Sequence, residues 1–159
     1  MNKRAIIKKI ITKLVGELEI YFRAAQFSRA EATHESSKAE SKYDTRGLEA
    51  SYLARGQSKQ AAELEAAIAE FEKLPSKKFG ADDSINLGAL VELEHGGEKL
   101  FYFIGPRAGG TEILHDNREI LVITPQSPLG GQLMGRKSGD QPLLTLGGTR
   151  KPAKILNVE

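Results

Sequence analysis

IIKKIITKLVGELEIYFRAAQFSRAEA, residues 6–32, sets apolar or small side chains at Ile7, Ile11, Leu14, Leu18, Tyr21, Ala25, Ser28 and Ala32. The intervals alternate between four and three, which is the heptad seam of a helix packing along a partner helix. A second, less regular seam runs through Leu53, Gln57, Ala61, Leu64, Ile68 and Phe71, and Pro75 stops it with Lys73 in the last turn. Between the two lies THESSKAESKYD, residues 33–44, which has almost no apolar residue. Two seams joined by a short polar stretch predict an antiparallel helical hairpin. Folding the chain at Ala39 sets Ile7 level with Phe71, Ile11 with Ile68, Leu14 with Leu64, Leu18 with Ala61, Tyr21 with Gln57 and Ala25 with Leu53. Large apolar side chains then gather at the base and smaller or polar ones toward the tip. An arm of this kind reaches roughly 45 Å at 1.5 Å per residue. A dimerisation arm or a spacer has the same pattern.

Beyond Pro75 the period changes. Residues 76–85, SKKFGADDSI, read as a linker. Leu90–Glu94 and Lys99–Ile104 alternate around Gly96-Gly97 and predict a β-hairpin, and Ile120–Thr124 predicts another strand. Leu143–Leu146 and Ala153–Val158 flank Gly147-Gly148 as a second hairpin. Between them Ser127–Met134 reads as a short helix with Ser127 as N-cap and Pro128 at its first position. The chain is therefore expected to be α+β, with a helical hairpin over 1–75, a linker over 76–85 and an antiparallel β domain over 86–159.

Composition narrows the class. The 159 residues carry a net charge of only +2 and no cysteine, so no disulfide framework and no thiolate metal site is available. A reducing, cytoplasmic setting is the natural expectation. Charges interrupt the apolar positions of the first 22 residues, unlike a signal peptide or a membrane span. Lys3, Arg4, Lys8, Lys9, Lys13, Arg23 and Arg29 outweigh Glu17 and Glu19 in the first 30 residues. A basic end attracts nucleic acid or an acidic protein surface, although a solvated helix face is the simpler reading.

Few residues suggest chemistry. His34, His95 and His115 share no ligand spacing and read as exposed loop histidines rather than a metal site. Gly130–Ser138 approaches the phosphate-binding pattern G-x-x-x-x-G-K-[ST], but an inserted arginine breaks it and a turn into a strand follows it. Nucleotide binding is rejected there in favour of a short helix capped by glycine. Glu31, Glu35, Glu40 and Asp44 cluster around the expected hairpin tip, diluted by Lys38 and Lys42. Carboxylates at a protruding tip suit Mg²⁺, which takes one or two protein oxygens beside water or substrate oxygens. A solvated turn has the same composition.

The combination of KYDTRGLEASYLARGQ (42–57), FYFIGP (101–106) and SPLGGQLMGRKSGD (127–140) resembles the bacterial GreA/GreB transcript-cleavage factor family over nearly the whole chain. The most specific part is Ser127-Pro128 with Leu133, Gly135, Gly139 and Asp140, which matches the family block SP-x-x-x-x-L-x-G-x-x-x-GD. The resemblance implies an FKBP-like C-terminal domain docked at the rim of the RNA polymerase secondary channel, with this block as docking motif. It implies a coiled coil passing down the channel, with Arg23, Arg29 and Tyr43 near polymerase or the nascent RNA 3′ end. It also implies no tightly bound cofactor and no metal of its own, and because a hairpin that satisfies its own seam needs no partner helix, a monomer is expected. Family members place an aspartate and, three residues later, a glutamate at the tip, where they help hold a Mg²⁺ shared with the polymerase active centre. The polymerase then cleaves its own backtracked RNA, so the factor is not itself an enzyme.

The tip departs from that pattern. Alignment on Tyr43 puts Ser36 at the aspartate and Ala39 at the glutamate, and neither is a carboxylate. Glu35 and Glu40 are the nearest substitutes, five apart rather than three, with Asp44 beyond them. Three readings follow: a cleavage-stimulating factor with an altered tip, a non-cleaving occupant of the channel that competes with other factors, and an FKBP-like peptidyl-prolyl isomerase carrying a helical arm.

Overall fold

Apolar residues at every third or fourth position wind Lys3–Thr33 into helix α1 and Arg46–Lys73 into helix α2 in the computed structural model of the chain. The structure describes the backbone of residues 1–33 and 46–159, and all side chains except those of residues 25, 28, 29, 31–55 and 57. Asn2 starts α1 by accepting the Ala5 amide on its side-chain oxygen at 3.3 Å. At the other end of the pair, α2 closes with Lys73 in its last turn, and the Leu74 amide donates to Phe71 O at 3.2 Å just before Pro75. No helix among the described residues is long and apolar enough to cross a membrane.

The chain divides into two compact units, one of Met1–Ile11 with Ala69–Glu159 and one of Thr12–Ile68. Within Thr12–Ile68, Leu14, Ala61 and Ala67 are buried, and Leu18, Tyr21 and Leu64 are half-buried. Leu14, Leu18, Tyr21, Ala61 and Leu64 lie on the expected seams, whereas Ala67 does not, and its neighbour Ile68, which does, is half-buried. The tip-side pairs of the expected register, Tyr21 with Gln57 and Ala25 with Leu53, involve side chains outside the described residues.

The other unit holds a six-stranded sheet in the order β3-β4-β2-β1-β6-β5. Its strands are β1 (Leu90–His95), β2 (Glu98–Ile104), β3 (Glu112–His115), β4 (Arg118–Ile123), β5 (Leu143–Leu146) and β6 (Thr149–Val158). Helix α3 (Pro128–Leu133) lies between β4 and β5 in sequence. Three hairpins turn on two residues that both have positive φ: Gly96-Gly97, Asp116-Asn117 and Gly147-Gly148. That is the backbone of a type I′ turn, whose twist suits the flanking strands.

Two features differ from the expectation. Strand β3 was not read from the sequence, because Asp116-Asn117 is a less obvious turn signal than a glycine pair. Asparagine and aspartate nonetheless tolerate the left-handed region, and Ile113 and His115 are buried while Glu112 and Leu114 are exposed, the alternation of a half-buried strand. The sheet is also mixed rather than wholly antiparallel. Phe101–Ile104 of β2 pair in parallel with Ile120–Ile123 of β4. A parallel pair needs a long crossover, and residues 105–117 with β3 inside them supply it.

Strand pleating divides the side chains between two faces. One face carries Val91, Leu93, Tyr102, Ile104, Ile155 and Val158 into a core that Leu133 of α3, Ile85 and Leu144 complete. Residues 76–89 carry no helix or strand, yet Ile85 is 1% exposed and Phe79 packs against this core. The opposite face presents Phe103, Ile113, Ile120 and Val122. There the Phe71 ring stacks on Phe103 with centroids 6.3 Å apart, and Lys9 Nζ donates to Leu114 O at 2.8 Å. The beginning of α1 buries Ile6, Ile7 and Ile10, while Ile11, expected on the seam, is only half-buried. In these first turns the buried stripe serves the sheet, so it is broader than a coiled-coil seam and centred one position earlier.

Lys3 is the one lysine drawn into this unit's interior among the described residues, at 7% exposure. Its ammonium donates to Gly88 O at 3.2 Å and to Lys77 O, and it lies 4.5 Å from the centroid of the Phe79 ring. Burial pushes its pKa below 10.5; Glu159 opposes that shift and Lys77 adds to it.

Two predictions follow from this packing. Phe71→Ala removes a fully buried ring and should lower unfolding stability by about 3–5 kcal/mol in urea titrations. A loss under about 1 kcal/mol would mean that Phe71 does not anchor the end of α2 to the sheet. For Lys3, the unfolded chain holds the proton more tightly between the lowered pKa and 10.5, so stability should rise with pH in that window. Lys3→Met should flatten the rise. Tyr102, whose phenol burial pushes up, is present in both proteins and cancels in the difference. Unfolding measured stepwise from neutral pH to 10.5 checks it, and identical slopes would contradict the assignment.

Candidate functional site

The segment after β4 must leave the sheet, reverse and return to form β5, and its residues do this through local hydrogen bonds. Ser127 has an extended backbone, φ −68° and ψ 154°, and caps α3. Its hydroxyl accepts the Gly130 amide at 3.1 Å and donates to Thr124 O at 2.7 Å. Pro128 follows at the first helical position, where its missing N–H is no loss. Leu133 is fully buried in the core. Gly135 leaves the helix at φ +79° and donates to Ile85 O at 2.9 Å, while Arg136 O accepts from the Ile85 amide at 2.7 Å. The motif then closes on itself: Asp140 Oδ2 accepts the Lys137 amide at 2.8 Å, and the Gly139 amide donates to Ile155 O at 2.8 Å.

Gly130 explains why the loop needs its second residue type. A Cβ there would lie 1.8 Å from Thr124 O and 2.8 Å from Ser127 Oγ, so the helix can approach the end of β4 only without a side chain. At Gly131 the nearest atom, Pro125 O, would be 3.6 Å away, an ordinary contact.

Gln132 adds a contact that the sequence did not suggest. Thr145 sits on edge strand β5, and its amide donates to Gln132 Oε1 at 2.9 Å, while Gln132 Nε2 donates to Pro128 O at 3.0 Å and reaches Thr145 O at 3.4 Å. The side-chain amide behaves as one more strand residue and blunts that edge. Lys9 does the same at the other edge of the sheet by taking the carbonyl of Leu114.

The structure thus brings Ser127, Pro128, Leu133, Gly135, Gly139 and Asp140 into one rigid loop. Ser127, Leu133, Gly135, Gly139 and Asp140 hold its shape, and Pro128, Gly131 and Lys137 are exposed on its surface. No phosphate cradle forms: the amides of Gly130, Gly131, Met134 and Gly135 all donate to protein oxygens. Such a loop can present a surface.

The remaining candidates are distributed differently. Glu35, Glu40, Tyr43 and Asp44 lie outside the described residues, as does His34. Arg29 belongs to α1, with its side chain outside the description. Arg23 is exposed on α1. His115 is a correction. Rather than an exposed loop residue it is 7% exposed at the end of β3, and neither ring nitrogen has a hydrogen-bond partner. Its Nε2 lies 3.4 Å from Asp116 Oδ2 without the alignment of a hydrogen bond. His95, also expected in an exposed loop, ends β1 half-buried. Among the described residues no three histidine or carboxylate side chains converge as metal ligands.

The loop geometry separates two neighbouring glycines. Gly130→Ala should cost about 3 kcal/mol through forced displacement. Gly131→Ala should be neutral or stabilise by about 0.5–1 kcal/mol through the helix. Thermal melts of both variants check the contrast, and equal losses would contradict it.

Comparison with known proteins comes last. No described protein family and no curated protein sequence matches the chain. Among solved structures, GreA factor homolog 1 (Gfh1) of Thermus thermophilus is similar at 24% identity and a TM-score of 0.40, over 94% of each chain. Gfh1 of Thermus aquaticus is similar at 25% identity and a TM-score of 0.41, over 95% of this chain and 94% of that one. A further structure of the transcription factor Gfh1 gives 25% and 0.40 over the same shares. At this overlap the functional reading rests on the chain's own residues.

Proposed function

We propose that the chain is a Gre-like transcription elongation factor that binds RNA polymerase, inserts a helical coiled-coil arm into the secondary channel and modulates elongation. The observation that carries this reading is the Ser127–Asp140 block. Its matched residues serve one rigid, outward-facing loop, with Ser127 as N-cap, Leu133 as core anchor, Gly135 and Gly139 at positive φ and Asp140 closing the turn. The lengths of α1 and α2, 31 and 28 residues, suit a long arm. In this reading the β domain, FKBP-like in the family, docks at the channel rim. Arg23 and Arg29 face polymerase or RNA phosphates, an attraction that salt weakens. The chain acts as a monomer in the cytoplasm.

The chemistry belongs to the polymerase. In two-metal hydrolysis one ion activates the attacking oxygen and the other stabilises the leaving oxygen. A factor contributes by adding carboxylate ligands to the second Mg²⁺ and orienting water. With Ser36 and Ala39 where the resemblance expects acids, Glu35, Glu40 and Asp44 are the remaining carboxylates at the tip. The same substitution favours a channel occupant that binds without stimulating much cleavage.

Binding and cleavage are separable in the test. The chain should co-purify with core polymerase and alter its elongation while stimulating little cleavage of backtracked RNA. Ser36→Asp with Ala39→Glu should raise cleavage about tenfold or more without changing binding. Glu35→Ala with Glu40→Ala should abolish whatever cleavage the natural chain supports. Failure to bind polymerase would sink the proposal, and strong cleavage unaffected by the double alanine change would sink the assignment of the acids.

A further inference from the structure

The start of α1 and the segment that follows Pro75 line a cavity of about 650 Å³, within the size range of small-molecule sites. Lys3, Arg4 and Lys78 give its lining positive charge, and Glu159 is the one carboxylate there among the described residues. That carboxylate is already engaged: Oε2 pairs with the Met1 amine, and Oε1 accepts the Asn157 side-chain amide at 2.9 Å. Lys3 is buried against neutral groups, the carbonyls of Lys77 and Gly88 and the Phe79 ring. Arg4 spends Nε on the Ser76 hydroxyl at 3.3 Å, which leaves its terminal nitrogens for another acceptor. Lys78 is exposed and has no ion pair among the described residues. Lys77 brings a further ammonium to 5.1 Å from the centroid of the Phe79 ring. On the far side of Arg4 and Ser76, Lys8 and Glu72 add one charge of each sign and leave the balance unchanged.

We infer that this cavity binds a small, multiply charged oxyanion, a phosphate ester or a polycarboxylate, whose oxygens take the terminal N–H groups of Arg4, the Lys78 ammonium and the Ser76 hydroxyl while its charge offsets that of Lys3. Three arguments select that ligand. A buried cation among neutral acceptors is costly, and a counter-charge beside it recovers part of that cost. With Glu159 answered by the Met1 amine, Lys3, Arg4 and Lys78 have no carboxylate of their own, so the lining suits more than one negative charge. The planar guanidinium of Arg4 offers paired donors that match two oxygens of one carboxylate or phosphate group. Phe79, half-buried at the wall, gives the body of such a ligand an apolar neighbour. The site is separate from the Ser127–Asp140 loop and does not depend on polymerase binding.

The test titrates isotope-labelled full chain in phosphate-free buffer with pyrophosphate, with citrate, and with sodium chloride at the same ionic strength, followed by amide NMR. Pyrophosphate or citrate should give saturable shifts centred on Arg4, Ser76, Lys78 and Phe79, and the tighter binder of the two identifies the phosphate or the carboxylate class. Chloride should not reproduce those shifts. Arg4→Gln and Lys78→Gln alter exposed positions, so both should remain folded, and each should weaken binding by about tenfold, the effect of one charge-assisted hydrogen bond. Lys3→Met should weaken it as well, and the two exposed variants keep the test independent of how that buried change is tolerated. Lys151→Gln, on the β5–β6 hairpin, should leave binding unchanged. Four results would overturn the inference: no saturable binding of either anion, the same shifts with chloride, shifts spread over lysines across the whole surface, or undiminished binding by the Arg4 and Lys78 variants.

Discussion

The contact between Phe71 and Phe103 holds the end of α2 on the sheet, and much else is arranged to permit it. Phe71 stands two residues before the end of α2 and stacks on β2, where Gly105 follows the strand directly. A Cβ at Gly105 would fall 2.8 Å from both Phe71 Cζ and Val122 Cγ1, so the ring can reach its place only because that position is bare. The glycine that admits the ring also begins the crossover from β2 to β4. Arg107, two residues on, meets Glu70 at 2.6 Å. Being exposed, that ion pair contributes little beside the buried ring. It orients the turn; the aromatic packing holds it. The crossover that joins the parallel pair is thus held at its start by the end of α2.

Most of this architecture was legible where a single period governs a segment. The glycine-paired hairpins, the Ser127 cap and Pro128 at the first turn of α3 could be read because each rests on local backbone chemistry that neighbours do not override. The misses have tertiary causes. Ile11 sits on an ideal heptad seam, but near its start α1 packs on a sheet, and Ile6 and Ile10 are the residues that a sheet requires there. Strand β3 is four residues long and pairs only with β4, so its signal was the turn at Asp116-Asn117, and without that strand His115 could only be read as loop. Gln132 had no sequence signature at all. Its role depends on Thr145 arriving beside it from a different element.

The block that carried the family resemblance is built mainly as structure. Its serine, leucine, two glycines and aspartate all act inside the loop, through a cap, a core contact, two positive-φ turns and a closing hydrogen bond. Requirements of this kind make a sequence pattern recognisable: a loop this tight admits few residues at each position, whatever partner it serves. Recognition by motif therefore identifies a scaffold. Exposed on the loop surface are Pro128, Gly131 and Lys137 together with Gly135, Gly139 and Asp140, so any contact made there would involve matched positions as well as those between them.

The tip obeys the opposite logic, since metal ligation depends on distance more than on local backbone. Magnesium holds its oxygens at 2.0–2.1 Å in a nearly ideal octahedron. Two carboxylates three apart on a helix share a face and can approach one ion, whereas two that are five apart diverge by roughly 140° around the helix axis. Glu35 and Glu40 can therefore share an ion only from a non-helical backbone, while Glu40 and Asp44, four apart, could do so from a helical one. Channel insertion imposes no such condition: it needs length, a slender arm and tolerable charge. In the proposed function, an arm without the three-residue spacing would keep what depends on shape, while metal binding would need either a non-helical backbone for Glu35 and Glu40 or the four-residue spacing of Glu40 and Asp44.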